Sequence, residues 1–119
     1  MSMRELGRFG EERAARYLRL RGYRIVETNY SCRYGEIDLI ARRGGYVVFV
    51  EVKLRKSAAF AEAREFVTRA KQQRIRATAS FWLAQHESEL QSRFDVIEIY
   101  APQGSEGRVS VNHIPDAFE

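Results

Sequence analysis

Residues 35–53 read GEIDLIARRGGYVVFVEVK, and this segment carries the strongest structural signal in the chain. Two runs rich in apolar and β-branched residues flank Gly44-Gly45, which is the composition of two strands joined by a tight turn. We therefore predict strands over residues 34–42 and 46–54, paired as an antiparallel hairpin.

A two-residue loop at the glycine pair also sets the register of this hairpin. Counting outward from the loop places Asp38 directly opposite Glu51, and Glu36 opposite Lys53. Because side chains alternate faces along a strand, these four charged residues should share one face. The opposite face should carry the apolar residues between them, which are Ile37, Leu39, Val48, Val50 and Val52.

This arrangement brings two carboxylates close together within an apolar pair of strands. Directly opposed Cβ atoms lie roughly 4.5–5.5 Å apart, so the charges of Asp38 and Glu51 would repel each other. Mg²⁺ suits such a site, since it binds one or two carboxylates together with water and phosphate oxygens. Lys53 could then stabilise a phosphoryl group or position an attacking water. The pattern predicts a site for metal-dependent phosphodiester hydrolysis.

A purely structural interpretation accounts for the same residues. Glu36 and Lys53 could form a cross-strand ion pair, with Asp38 and Glu51 pointing into solvent from a half-exposed sheet. Three bulky apolar residues on the charged face, Ile40, Val47 and Phe49, favour the site interpretation.

The rest of the chain predicts an α/β fold. We expect a helix over residues 4–21, a strand over Tyr23–Tyr30, a long helix over 60–84, a strand over Phe94–Ala101 and an edge strand over Arg108–Ile114. The element order is α-β-β-β-α-β with an extra edge strand, which gives a mixed sheet flanked by helices. The inner side of the long helix should hold Phe66, Val67, Ala70, Ala77, Phe81 and Trp82.

Length and composition predict one domain spanning residues 1–119. The 119 residues are 45% hydrophobic, enough for a packed core, and Cys32 is the single cysteine. No apolar run approaches the length of a membrane span, so we expect a cytoplasmic protein without a membrane partner. The net charge is +4 and arginine supplies seventeen of the 20 basic residues. Arginine pairs well with phosphate, which indicates an anionic partner such as nucleic acid.

Four further residues are weaker candidates on spacing alone. Glu11 borders the apolar face of the first helix and could join the metal's water shell, although a surface glutamate is the simpler interpretation. Lys71 and Arg74 lie one turn apart on the long helix and could hold a backbone phosphate, or simply face solvent. Arg33 precedes the acidic strand, where it could contact nucleic acid.

Two motifs carry a resemblance to a known family. They are Gly35-Glu36-Ile37-Asp38-Leu39-Ile40 and Val48-Phe49-Val50-Glu51-Val52-Lys53 with Arg55. The chain resembles the YraN family of small bacterial predicted endonucleases, which are similar to archaeal Holliday-junction resolvases of the restriction-endonuclease-like superfamily. Flanking matches over residues 5–100 include Gly7, Gly10, Glu11, Ala14, Gly22-Tyr23, Asn29, Lys71, Arg74-Ile75, Arg93 and Asp95-Val96-Ile97.

The resemblance implies a restriction-endonuclease-like core with Asp38 and Glu51 as metal ligands and Lys53 as the catalytic lysine. It raises Glu11 to a site residue and suggests a homodimer. The resulting hypothesis is a Mg²⁺- or Mn²⁺-dependent endonuclease acting on DNA, with branched DNA as a candidate substrate. The phosphate backbone of the DNA would be bound by Arg33, Arg55, Lys71 and Arg74. The competing hypotheses are a non-catalytic nucleic-acid-binding module and a protein-interaction scaffold on the same fold.

Overall fold

The computed structural model describes residues 2–55 and 67–119. Helix α1 spans Met3–Leu20 and begins with a capping box, in which the Glu5 N–H donates to the Ser2 hydroxyl at 3.1 Å. The helix ends before Gly22, whose φ of 87° would be strained for a residue with a Cβ. The first predicted helix is thereby confirmed.

Three strands follow α1 as an antiparallel meander: β1 spans Arg24–Cys32, β2 spans Gly35–Arg43 and β3 spans Tyr46–Arg55. Gly44 and Gly45 form the turn between β2 and β3, as predicted. The predicted register is confirmed from the pair Arg43–Tyr46 to the pair Leu39–Val50. The ladder between β2 and β3 ends there, so the expected continuation to Asp38–Glu51 and Glu36–Lys53 is wrong.

Helix α2 spans Arg69–Gln85, and the Thr68 hydroxyl caps it by accepting a hydrogen bond from the Lys71 N–H at 3.2 Å. The predicted start of this helix, residues 60–66 with Phe66, lies outside the described residues. The predicted inner face is wrong in part, because Ala70 is exposed and Ala77 and Phe81 are half-buried. The buried residues of the helix are Ile75, Thr78, Ala79 and Trp82.

Two strands complete the sheet after α2. Strand β4 spans Gln91–Tyr100 and pairs in parallel with β3; after a short 3₁₀ helix at Gly104–Glu106, β5 spans Ser110–Phe118 and pairs antiparallel with β4. The sheet order is β1-β2-β3-β4-β5. The predicted α/β class, element order and mixed sheet are confirmed, with β5 as the edge strand.

Two apolar cores lie on opposite faces of the sheet. On one face, Ala14, Ala15 and Leu18 of α1 pack on residues that include Leu39, Ala41, Val48 and Val50. On the other, Ile75, Ala79 and Trp82 of α2 pack on residues that include Ile40, Val47, Phe49 and Val96. The sheet is therefore covered on both faces, and its strands read as nearly continuous apolar runs for that reason.

The alternation of side chains along β2 breaks at Asp38. Leu39 packs in the α1 core, whereas Ile37 packs in the α2 core, so the expectation that both share one face is wrong. Asn29, on the neighbouring strand, has a φ of 51°, and the pairing of β1 with β2 steps past it from Thr28–Leu39 to Tyr30–Ile37. This irregular backbone on β1 lies beside the point where Asp38 leaves the ladder with β3.

Neither α1 nor α2 has the character of a bilayer span, which needs about 20 mostly apolar residues. Charged residues cover the outer side of α1, and basic residues fill the first half of α2. In the part of the chain that the structure describes, no helix is long and apolar enough to cross a membrane.

Candidate carboxylate–lysine site

Asp38 stands where β2 and β3 part. Its Oδ2 accepts a hydrogen bond of 2.8 Å from the backbone N–H of Val52, a donor on the neighbouring strand just beyond the last ladder pair. The carboxylate thus takes the place of a β2 carbonyl as the partner of β3. This contact fixes the orientation of Asp38, which is half-buried.

Glu51 is the buried member of the pair of carboxylates. Its side chain is only 8% exposed, and its Oε1 lies 2.5 Å from Lys71 Nζ and 3.5 Å from Lys53 Nζ. The solvent-facing interpretation of Glu51 is therefore wrong. Lys53 pairs with Glu51 on its own strand, while Glu36 is exposed, so the predicted Glu36–Lys53 ion pair is not formed.

The surroundings of the site shift the pKa values of Asp38 and Lys53. Burial raises the pKa of Asp38 to about 7, with the negative charges of Glu51 and Glu11 adding to the rise. The Val52 N–H and the Lys71 charge oppose it. Burial also lowers the pKa of Lys53, and the nearby charge of Lys71 adds to this against the opposing effect of Glu51. The site therefore disfavours a second negative charge beside Glu51.

Lys71 differs from Lys53 in the balance of these effects. Burial alone would lower the pKa of Lys71, but its close ion pair with Glu51 outweighs burial, and its pKa is raised. The sequence predicted Lys71 as a phosphate contact and missed its pairing with Glu51. The available signal in the sequence was a lysine in the first turn of the helix that follows the strand carrying Glu51.

A shallow cavity of about 240 Å³ opens over this cluster. It is lined by Gly35, Glu36, Asp38, Glu51, Lys71, Arg74 and Ile75. The structure thus brings two of the predicted phosphate-contacting residues, Lys71 and Arg74, to the predicted carboxylates. Gly35 allows this approach, because a Cβ there would lie 3.1 Å from the Thr78 hydroxyl of α2.

Glu11 reaches the same region from the other side of the sheet. It is half-buried on α1, and its charge is close enough to raise the pKa of Asp38. It lines two adjoining cavities, one of which it shares with Asn29 and Glu36. Glu11 is thus a neighbour of the cluster at the edge where β2 leaves β3.

The other two predicted phosphate contacts lie apart from the cavity. Arg33, in the turn between β1 and β2, donates a 2.9 Å hydrogen bond to the Tyr34 hydroxyl and lies over its ring. Arg55, at the end of β3, pairs with Glu98 at 3.5 Å. Neither residue lines the cavity around Asp38 and Glu51.

Glu98 is a buried carboxylate that the sequence analysis did not single out. It lies on β4 in register with Lys53 of β3, and its Oε1 accepts hydrogen bonds from Asn112 at 2.8 Å and Tyr100 at 3.1 Å. Only 1% of the residue is exposed. A glutamate inside the apolar run Val96–Ile99 is the signal that could have identified it.

The Arg93 and Asp95 motif belongs to a different, structural cluster. Asp95 is fully buried and accepts two hydrogen bonds from Arg93, one from His113 Nε2 at 2.7 Å and one from the Asp116 N–H. The Tyr23 hydroxyl lies 2.7 Å from Arg93. This network joins β4 and β5 to α1 and the start of β1, away from the cavity.

The fold and the cluster define a small α/β protein with a carboxylate–lysine site where two central strands part. The model of the uncharacterised protein family UPF0102 matches residues 10–99, and the chain belongs to this family. The resemblance to the YraN group is confirmed as family membership, while the relationship to nucleases stays a prediction.

Curated relatives match over nearly their full length. A UPF0102 protein of Caldicellulosiruptor bescii is 43% identical over 99% of this chain and 100% of its own. UPF0102 proteins of Nocardia farcinica and Symbiobacterium thermophilum are each 46% identical, covering 95% and 97% of this chain and 88% and 97% of their own. This chain is therefore similar to these proteins over nearly its full length.

Proposed function

We propose that the protein is a Mg²⁺- or Mn²⁺-dependent endonuclease that hydrolyses phosphodiesters of DNA, with branched DNA among its substrates. The observation that carries the proposal is that Asp38 and Glu51 line one cavity with Lys71 and Arg74. The pKa of Asp38 is raised to about 7 there, first by burial and then by the charge of Glu51. A divalent cation would offset the repulsion between the carboxylates, and a phosphate backbone would suit Lys71 and Arg74.

The donor set fits magnesium or manganese better than zinc. Among residues 2–55 and 67–119, no group of three or more His, Cys, Asp or Glu side chains is placed to hold a metal ion. Zinc needs three or four such ligands, whereas magnesium binds through one or two carboxylates with water and phosphate. Asp38 and Glu51 would hold the ion, which supplies Lewis-acid polarisation of the phosphoryl group.

Lys53 has the properties of a residue that handles the attacking water. Its pKa is lowered by burial, so a larger share is neutral at a given pH than for an exposed lysine, and neutral Nζ can accept a proton. The water oxygen then forms a bond to phosphorus as the bond to one sugar oxygen breaks. The leaving oxygen takes a proton from solvent water, so the products are a phosphomonoester and a hydroxyl. Protonated Lys53 stabilises the charge on the phosphoryl oxygens.

The remaining residues play supporting parts in this proposal. Glu11 would bind the water shell of the ion, and Arg33 and Arg55 would hold backbone phosphates farther from the scissile bond. A restriction-endonuclease-like core, suggested by the element order and the parallel β3–β4 pair, belongs to the same proposal. So does a homodimer, which light scattering of the purified protein would test.

The direct test is cleavage of labelled DNA. Linear, flap and four-way-junction substrates are incubated at low salt with Mg²⁺, Mn²⁺ or a chelator. We expect metal-dependent cleavage that falls at least about 100-fold in Asp38→Asn and in Lys53→Ala, because each removes a group that acts in the transition state. Asp116→Asn is the matched control, since this exposed aspartate lies on β5 outside the cavity.

The wild type and the three variants are purified in parallel. A contaminating nuclease would then cleave equally in all four preparations. Equal cleavage by wild type, Asp38→Asn and Lys53→Ala would contradict the proposal. Unfolding curves that show intact folding of each variant are needed before the rates are compared.

One observation favours a second candidate, a nucleic-acid-binding module without catalysis. Lys53 and Lys71 both lie within ion-pair distance of Glu51, so this carboxylate is neutralised without a metal. Such a module would bind DNA with a strong salt dependence and leave it intact. Binding that is unchanged by metal and by Asp38→Asn, without turnover, would favour it over the nuclease.

A further inference from the structure

Lysine is rare in this chain and concentrated at the site. The sequence holds three lysines against seventeen arginines, and both lysines that the structure describes contact the same oxygen of Glu51. An ammonium is a compact point charge, whereas a guanidinium is a broad fork that holds carboxylates in bidentate pairs. The site therefore carries the type of cation that most resembles a small metal ion and is most readily exchanged for one.

Lys71 is the more exposed of the two lysines. Its side chain is 37% exposed, compared with 23% for Lys53, although its Nζ is closer to Glu51. Its backbone is pinned by the Thr68 cap, so the flexible part is the four-carbon side chain. An exposed side chain on a fixed backbone can move its ammonium between Glu51 and the cavity above without moving α2.

The position of Lys71 in its helix is electrostatically unfavourable without a partner. The first turn of α2 has no acidic residue, and a helix N-terminus carries a partial positive charge that repels cations. The ion pair with Glu51 compensates for this repulsion. A phosphate arriving over the same turn would compensate for it equally well, since helix N-termini and lysines both attract phosphate.

A divalent ion and the Lys71 ammonium compete for the same carboxylate. A metal such as Mg²⁺ binds a carboxylate oxygen at roughly 2.0–2.1 Å, and the ammonium already lies 2.5 Å from Glu51 Oε1. Two cations that close to one oxygen repel each other, so one must leave. A metal held by Asp38 and by Glu51 Oε1 therefore displaces the Lys71 ammonium.

We propose that Lys71 closes the carboxylate site until a phosphate backbone draws its ammonium away from Glu51, so that divalent metal and nucleic acid bind cooperatively. The inference rests on the proposed function, because it concerns the same metal site. Such coupling is reciprocal: the backbone tightens metal binding by the factor by which metal tightens backbone binding. It would keep the free protein largely without metal and hence inactive.

Binding of Mn²⁺ tests this coupling independently of cleavage. Free Mn²⁺ is measured by its paramagnetic resonance signal during titration of the full chain, with and without a short DNA duplex, and titrations of the duplex alone are subtracted. For the free protein we expect Lys71→Met to bind Mn²⁺ about 5- to 50-fold more tightly than wild type. The duplex should tighten binding to wild type and have little effect on Lys71→Met.

Arg74→Met is the matched control. Arg74 lines the same cavity and carries the same charge, but among the described residues no ion pair joins it to Glu51. It reports the effect of removing a nearby positive charge alone, and Lys71→Gln checks that the result does not depend on the methionine. Unfolding curves verify that each variant is folded.

The outcomes separate this inference from the proposed function. If Lys71→Met binds Mn²⁺ no more tightly than Arg74→Met, or keeps the effect of the duplex, the coupling role is wrong and the metal site stands. If no binding is lost in Asp38→Asn, the metal does not use this site, and the proposed function and the inference both fail.

Discussion

Asp38 is held in a place where its ionised form is disfavoured. Burial first, and then the charges of Glu51 and Glu11, raise its pKa from 3.8 to about 7, although the Val52 N–H and Lys71 act in the opposite direction. In the unfolded chain the carboxyl returns to its ordinary pKa. At neutral pH the ionised form of Asp38 therefore lowers the free energy of unfolding. Such a loss of stability is common where carboxylates form a functional site.

The pH dependence of this cost can be measured with Asp38→Asn. The folded pKa lies above the unfolded one, so stability is lost as pH rises from about 4 through about 7. Asparagine keeps an acceptor for the Val52 N–H and carries no charge. We expect the free energy of unfolding of the metal-free protein to rise by about 1–3 kcal/mol at pH 8, a figure reduced for partial solvent screening.

Urea unfolding in the presence of a chelator at pH 8 and pH 4.5 provides the measurement. The gain from Asp38→Asn should be small at pH 4.5, where the folded wild type is protonated at Asp38. A gain of the same size at both pH values would show that the charge of Asp38 is not its source. Asp116→Asn should change stability little at either pH.

At the scale of secondary-structure elements, a buried charge network holds the edge strand β5. Asp95 on β4 accepts hydrogen bonds from Arg93, from His113 on β5 and from the Asp116 N–H. The Tyr17 hydroxyl of α1 lies 3.3 Å from His113 Nδ1, so the network also reaches the first helix. It ties three elements together through groups that burial would otherwise leave unsatisfied.

Asp95→Asn should destabilise the protein by about 3 kcal/mol, because it leaves the half-buried Arg93 charge without its counter-ion. Burial alone would raise the pKa of Asp95, but hydrogen bonds from His113 and Arg93 outweigh it, and the pKa is lowered. A lowered pKa contributes stability that is present above about pH 4 and lost as pH falls further.

Chemical unfolding at pH 7 and pH 3 tests both statements. The difference between wild type and Asp95→Asn should narrow at the lower pH, as the wild-type carboxylate takes up its proton. An equal loss at both pH values would mean that packing, not charge, explains the effect of the substitution.

At the scale of the whole molecule, the net charge of +4 attracts a polyanion in general, while the cavity places two cations beside the carboxylates. Long-range attraction and local contact make different contributions to binding. The general charge sets the encounter with any polyanion, whereas each phosphate contact adds one released counter-ion.

Salt titration of DNA binding therefore distinguishes Arg74 from a distant arginine. Arg24 is exposed at the other end of the sheet, where it pairs with Arg42. If Arg74 contacts a phosphate, Arg74→Gln should reduce the slope of log K against log salt by roughly 0.9, and Arg24→Gln should leave it nearly unchanged. Equal slopes in both variants would remove Arg74 from the phosphate contacts.

Local rules determined the scaffold of this protein. The glycine pair at residues 44–45, between two β-branched runs, was enough to set the hairpin and its register from Arg43–Tyr46 to Leu39–Val50, because turn length and alternation act over a few residues. The order of the elements followed from periodicity in the same way. So did the presence of Asp38 and Glu51 on neighbouring strands.

The contacts within the site depend on long-range packing. The ladder stops before Asp38, and Lys71 reaches Glu51 from a helix twenty residues later. Helix α2 buries the predicted Trp82 together with Ile75 and Ala79, which the predicted face did not include. These outcomes depend on which surface each element meets. Long-range packing and the need to satisfy buried charges select among several locally acceptable arrangements, and the sequence period does not encode that choice.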